Sequence, residues 1–138
     1  MTHGLELDEE KLDDAARAIG EGPVVMVNLL RFRETPEYPA DFAGALSDSR
    51  RGYYEGYVVG FRAACAEVGV APELVYAGAQ AAGILVGPDD DWHEIALVRY
   101  PSCADFRRII ATDTYIRLAK PHRLAVLKDW RFIATKAR

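Results

Sequence analysis

From Asp8 to Ile19 the apolar positions Leu12, Ala15, Ala16 and Ile19 recur at helical spacing, behind acidic residues and ahead of Gly20. This predicts a short amphipathic helix with a glycine stop. The pattern then changes. Pro23 to Phe32 carries Val24, Val25, Met26, Val27, Leu29 and Leu30, a β-branched and apolar run that predicts a strand. Val24, Met26 and Leu30 point one way and Val25, Val27 and Leu29 the other, the pattern of a central strand covered on both faces.

Arg33 to Ser49 contains Pro36, Pro39, Gly44 and several acidic residues and predicts a long connection, either a lid or partner-contact arm or a solvated insertion. Gly52 to Val68 returns to helical spacing, with Tyr54, Tyr57, Val58, Phe61, Ala64, Cys65 and Val68 on one stripe and Gly69 closing it. Two strands are predicted over Glu73 to Val86 and Trp92 to Tyr100, joined through Gly87-Pro88 and Asp89, Asp90 and Asp91 as an antiparallel hairpin. Ser102 with Asp105 marks a helix start, with Cys103, Phe106, Ile109 and Ile110 inward. A further helical piece covers Thr112 to Lys120, Pro121 interrupts it, and Leu124 to Thr135 predicts the last strand.

After the leading helix the order is strand-helix-strand-strand-helix-strand, the ferredoxin-like βαββαβ arrangement: an α+β sandwich with a four-stranded antiparallel sheet. Residues 1–21 read as an N-terminal helical extension and 22–138 as the domain proper. Right-handed crossovers put both connecting helices on one face of the sheet. The other face, apolar along the first strand, then needs a cover. A second copy of the same face supplies one, which predicts a homodimer whose paired sheets enclose a shared space; the leading helix is too short to cover a whole sheet.

Composition narrows the function. A chain of 138 residues with 50% hydrophobic and 28% charged residues makes one globular domain. The net charge is −4 at pH 7, with basic residues scattered, which gives no footprint for nucleic acid. Met1 to Asp14 holds six acidic residues and no signal-peptide core, and no stretch reaches the roughly twenty apolar residues of a membrane helix. The expectation is a cytoplasmic protein with no membrane partner. Cys65 and Cys103 fit small buried apolar groups better than a disulfide, although a helix start at Ser102 could also activate the Cys103 thiol.

Asn28 stands out as an amide within an apolar strand. Unpaired burial costs roughly 1–3 kcal/mol, so it either pins neighbouring structure or orients a ligand carbonyl in a cavity. Arg31 and Arg99 alternate with Leu29 and Leu97 and need carboxylate partners, for which Glu94 and Asp129 are available, or an anionic ligand. His93 and His122 are the natural proton-transfer groups, His3 belonging to a frayed tail. Their spacing fits no metal signature, and no phosphate loop, nucleophile elbow or Cys-x-x-Cys is present, so no metal and no cofactor are expected. Tyr53, Tyr54, Tyr57, Trp92, Tyr100 and Tyr115 are either core and dimer anchors or the walls of a flat cavity.

Gly22-Pro23-Val24-Val25-Met26-Val27-Asn28-Leu29-Leu30-Arg31-Phe32, Trp92 with Leu97-Val98-Arg99-Tyr100-Pro101-Ser102, Asp113 with Tyr115, His122-Arg123, and Leu127 with Asp129 together resemble the domain of unknown function 1330 family. The resemblance covers nearly everything after Gly22. It implies a subunit of the dimeric α+β barrel superfamily, whose members include cofactor-free monooxygenases, muconolactone-isomerase-like enzymes and haem-handling proteins. Two departures stand out: His93 occupies a position usually acidic in that family, and Cys103 one commonly arginine.

The functional expectation is a small-molecule-binding dimer. In one form it is a cofactor-independent enzyme on a carbonyl or phenolic metabolite, with Asn28, His93 and His122 catalytic and Arg31, Tyr54, Trp92, Arg99, Tyr100, Tyr115 and Arg123 binding the ligand. The alternatives are a dimer that binds without turnover and a haem binder using His122.

Overall fold

The computed structural model describes residues 5–138, so His3 lies outside the described residues. The elements are α1 (Glu9–Ile19), β1 (Val24–Phe32), α2 (Ser49–Arg51) running through a π-helical turn (Gly52–Tyr57) into α3 (Val58–Val68), β2 (Glu73–Gly78), β3 (Glu94–Tyr100), α4 (Cys103–Ile110), a second π-helical turn (Tyr115–Ala119), α5 (Lys120–Val126) and β4 (Leu127–Thr135). The sheet order is β2-β3-β1-β4 with every pairing antiparallel, which is the expected ferredoxin-like α+β fold.

Local chemistry accounts for the boundaries. The Asp8 carboxylate accepts the Lys11 amide at 3.1 Å to start α1, and Gly20 ends it at φ 74°. Ser102 accepts the Asp105 amide at 3.0 Å to open α4. Gly69 closes α3 in the left-handed region at φ 71°, where a side chain would be strained.

Three boundaries differ from the sequence reading. Strand β2 stops at Gly78 rather than Val86, because the residues that would continue its ladder are already bonded elsewhere. The Gln80 side chain accepts the Trp92 amide and donates to the Asp90 carbonyl, and His93 N–H donates to Leu30 O. Ile84, Leu85 and Val86 therefore lie in an exposed loop, Leu85 at 95% exposure. Pro121 does not end the second helical region; it sits in the first turn of α5, where its missing N–H costs no hydrogen bond. Helix continues through Val126, so β4 begins at Leu127 rather than Leu124.

All the helical packing lies on one side of the sheet. Val24, Met26, Leu30 and Phe32 join the core clusters with residues of the helices, whereas Val25, Val27 and Leu29 do not. Helix α1 shares that side, burying Leu12 and Ile19 beside Phe106 and pairing its Glu9 and Asp13 with Arg107 of α4. By strand register the opposite face presents Val27, Leu29, Ile95, Leu97 and Ile133, the last 49% exposed. Cys65 and Cys103 are both free and buried, and burial pushes both thiols up, Cys65 to about 11, which opposes activation at the start of α4.

Candidate functional site

A cavity of about 540 Å³ lies between the first π-helical turn with α3 and the covered face of β1, β2 and β3. That is within the roughly 300–1,000 Å³ range of small-molecule pockets. It sits within the single chain, under the helices, on the covered face of the sheet. Phe61, Val98, Leu74 and Ala77 make apolar wall, and Asn28, Glu94, Arg62, Tyr53, Tyr54, Tyr57 and Tyr100 bring the polar groups.

Asn28 and Glu94 share a face because Asn28 pairs with Ala96 and Leu30 with Glu94. This makes them diagonal neighbours, about 7–8 Å apart at Cα, so a molecule the size of one aromatic ring can touch both. The Asn28 carbonyl oxygen accepts the Trp130 indole N–H at 3.1 Å, and its amide donates to Ala96 O at 3.3 Å. An amide nitrogen carries two hydrogens, so one N–H is left for the cavity. Thus Asn28 is pinned and still able to donate.

Glu94 brings a carboxyl group to the cavity. Burial raises its carboxyl above the ordinary value against the opposing charge of Arg50, and the Tyr54 hydroxyl donates to its Oε2. Desolvation increases the proton affinity of a carboxylate and so makes it a stronger base. Burial likewise holds the Tyr53, Tyr57 and Tyr100 hydroxyls protonated well above the usual phenol range, which keeps them as donors.

Of the ten residues read from the sequence, the cavity gathers Asn28, Tyr54 and Tyr100. Tyr115 and Arg123 are buried just behind it, the Arg123 guanidinium donating to the Tyr115 oxygen at 3.0 Å. Arg31 and Arg99 are on the opposite face by register. Arg31 bonds the Asp90 carboxylate at 2.6 Å, lies 3.8 Å from Asp129 and stacks 4.6 Å over the Trp92 ring; Arg99 bonds Glu73 at 2.6 Å. These are structural pairings.

Neither described histidine lines the cavity. His93 accepts the Phe32 amide at Nδ1, 2.9 Å away, and stacks on the Phe32 ring, extending the β1–β3 edge. His122 is buried with its Nδ1 2.6 Å from the Tyr38 hydroxyl and its ring against Phe42, and burial lowers its pKa. It fastens the 33–48 connection onto α5, with help from Arg33 N–H to Val126 O and Glu37 N–H to Ala125 O. With no imidazole at the cavity, the donor set does not fit a histidine-ligated haem there. Among the described residues no group of three or more metal-binding side chains occurs, and no helix is long and apolar enough to cross a membrane.

Sequence reading missed Glu94 as a site residue, treating it as a partner for arginine. Strand parity carried the signal: Glu94, Ala96, Val98 and Tyr100 alternate against Ile95, Leu97 and Arg99. It also missed Gly52, Gly56 and Gly60, a four-residue stripe that lets the helix approach the second helical region. A Cβ at Gly56 would overlap the His122 ring, and one at Gly60 would come 2.6 Å from Leu118 O.

The fold has solved counterparts. The chain is similar along its whole length to RPA0582. The methylated RPA0582 protein aligns at TM-score 0.81 with 27% identity, covering 100% of this chain and 97% of that one. A second structure of RPA0582, described as a protein of unknown function from Rhodopseudomonas palustris, aligns at TM-score 0.79 with 27% identity over 96% and 95% of the two chains. A dabb family protein with a ferredoxin-like fold from Mesorhizobium loti shares the fold at TM-score 0.56 and 11% identity, covering 86% of this chain and 99% of that one. No family model matches the chain, and none of the curated proteins does. The chain is thus a ferredoxin-like α+β protein; the domain of unknown function 1330 resemblance goes further than these likenesses.

Proposed function

We propose that the protein binds a small, largely apolar molecule with a carbonyl or phenolic oxygen in the cavity under α3, and moves a proton on it by cofactor-independent acid–base chemistry. Glu94 takes the proton and Asn28 holds the oxygen with its spare amide N–H. The observation that carries this reading is the Glu94 carboxyl itself: partly desolvated, raised in pKa, bonded by Tyr54 and facing a largely apolar cavity diagonally from an amide donor.

The unit in this proposal is a homodimer of the dimeric α+β barrel type. Its interface is the open sheet face bearing Val27, Leu29, Leu97 and Ile133, and each protomer keeps its own cavity. The resemblance to the domain of unknown function 1330 family supports that assembly, and the scattered charge and acidic balance support a small-molecule rather than a nucleic-acid partner.

A panel of phenols, quinols and enolisable lactones tests the chemistry. The wild-type protein turns over at least one member, and Glu94→Gln lowers kcat by about 10²–10⁴-fold while the protein stays folded. A Glu94→Gln variant with full activity would refute the assignment. A compound that raises the melting temperature equally in both proteins without being transformed would instead support the non-catalytic reading.

A further inference from the structure

A buried cation stands behind the cavity with nothing yet to do. Arg123 is 3% exposed, its Nε has no hydrogen-bond partner, and its nearest carboxylate, that of Glu6, is 4.0 Å from Nη2. Its guanidinium stacks 4.7 Å over the Trp130 ring and donates through Nη1 to the Tyr115 oxygen at 3.0 Å. The Tyr115 and Tyr57 hydroxyl oxygens are 3.4 Å apart, and Tyr57 lines the cavity.

Hydrogen-bond accounting fixes the first link of this chain. A guanidinium only donates, so the Tyr115 oxygen accepts. The Tyr57–Tyr115 hydrogen bond can run in either sense; when Tyr115 donates to the Tyr57 oxygen, the Tyr57 proton is released for the cavity that Tyr57 lines. The two tyrosines sit at the facing ends of the two π-helical turns, Tyr57 closing one and Tyr115 opening the other. Such turns re-aim side chains that a regular helix would direct elsewhere.

We propose that Tyr57 is a second oxyanion donor of the cavity, oriented and polarised by Arg123 through Tyr115, and that the substrates are compounds whose oxygen gains negative charge as a proton leaves: phenols and enolisable carbonyl compounds. The inference rests on the Glu94 reading above. In the step, the Glu94 carboxylate takes a proton from a phenol O–H or from a carbon next to a carbonyl. The bonding pair stays on the substrate as a phenolate or enolate, whose oxygen accepts from Tyr57 O–H and Asn28 N–H. No oxidant or reductant is consumed. Burial keeps the Tyr57 hydroxyl protonated, so it remains a donor while the charge of Arg123 pulls the other way. Arg123 and Tyr115 are positioning residues; Tyr57 is the one that touches substrate.

The test uses ring-substituted phenols of decreasing pKa, binding to the full-length protein at one fixed pH. Wild-type affinity rises as the phenol oxygen gains charge. Tyr57→Phe flattens that dependence, losing about tenfold on the most acidic phenols and little on the least acidic. Tyr115→Phe, which leaves Tyr57 and Arg123 in place, flattens it by a smaller factor. Parallel dependences in wild type and Tyr57→Phe overturn the inference. So does a Tyr115→Phe variant identical to wild type. If the Tyr57 effect is present but Glu94→Gln turns over phenols normally, Tyr57 stands and the Glu94 reading falls. A wild-type protein that binds no phenol overturns both.

Discussion

Trp130 donates its indole N–H to the Asn28 side-chain oxygen at 3.1 Å. The same ring carries the Arg123 guanidinium on its face at 4.7 Å. One aromatic side chain from β4 therefore fixes which end of the Asn28 amide accepts and braces the cation behind the tyrosines. With the carbonyl turned toward Trp130, the amide nitrogen is the end that remains for a ligand, which makes the one polar residue on the strand's covered face a donor.

Replacing Trp130 with Phe keeps a ring beneath Arg123 and removes only the indole donor. The part-buried Asn28 oxygen is then left without its partner, at a cost of about 1 kcal/mol. Urea unfolding should show that loss, and phenol affinity should fall severalfold because the amide is free to rotate. Unchanged affinity would mean that Asn28 does not need its orientation fixed.

The His122 imidazole sets a dependence on pH. Burial lowers its folded pKa below the value of about 6.5 expected in the unfolded chain. In that window the unfolded state binds a proton that the folded state does not. Stability is therefore full above that value and falls as the medium is acidified through it. Glu94 works with the opposite sign: its raised carboxyl favours the fold while protonated, and that contribution is lost as the pH rises through its folded pKa. Melting temperatures measured between about pH 7 and pH 5 should decline for the wild type and flatten in His122→Asn, with Tyr38 and the 33–48 connection loosened at all pH values.

The proposed dimer has its own readout. Sedimentation velocity at micromolar concentration should give a dimer for the wild type. Leu97→Arg, at the middle of the open face, should give a monomer with unaltered far-ultraviolet circular dichroism. A wild-type monomer would leave that face unexplained and remove the barrel assembly from the account.

Much of this molecule was legible in its sequence, for physical reasons that differ from element to element. The first strand announced itself because burial on the helix side and a second apolar face leave no polar alternation, and the caps at Asp8, Gly20, Gly69 and Ser102 follow from the unpaired groups of helix ends. The segment Ile84-Leu85-Val86 misled for the converse reason. Its composition suits a strand, but strand formation needs a partner, and Asp90, Trp92 and His93 had already been bonded by Gln80 and β1. Asn28 was visible as an anomaly, while its outlet was not. Whether an amide faces a cavity depends on which face the helices occupy, and only the register with Ala96 and Phe132 settles that. Tyr57 was hidden among the three tyrosines of one π-helical turn, and its hydroxyl contact with Tyr115, which no periodicity reveals, is what sets it apart.

The central claim is that ligand enters each protomer beneath α3 and meets Glu94 and Asn28 there. Chemical-shift mapping of isotopically labelled protein titrated with a phenol tests it most directly, because the two faces of β1 and β3 are reported residue by residue. The account predicts saturable shifts concentrated at Asn28, Tyr57, Glu94 and Ala96. Shifts centred on Val27, Leu29 and Leu97, or none at saturation, would contradict it.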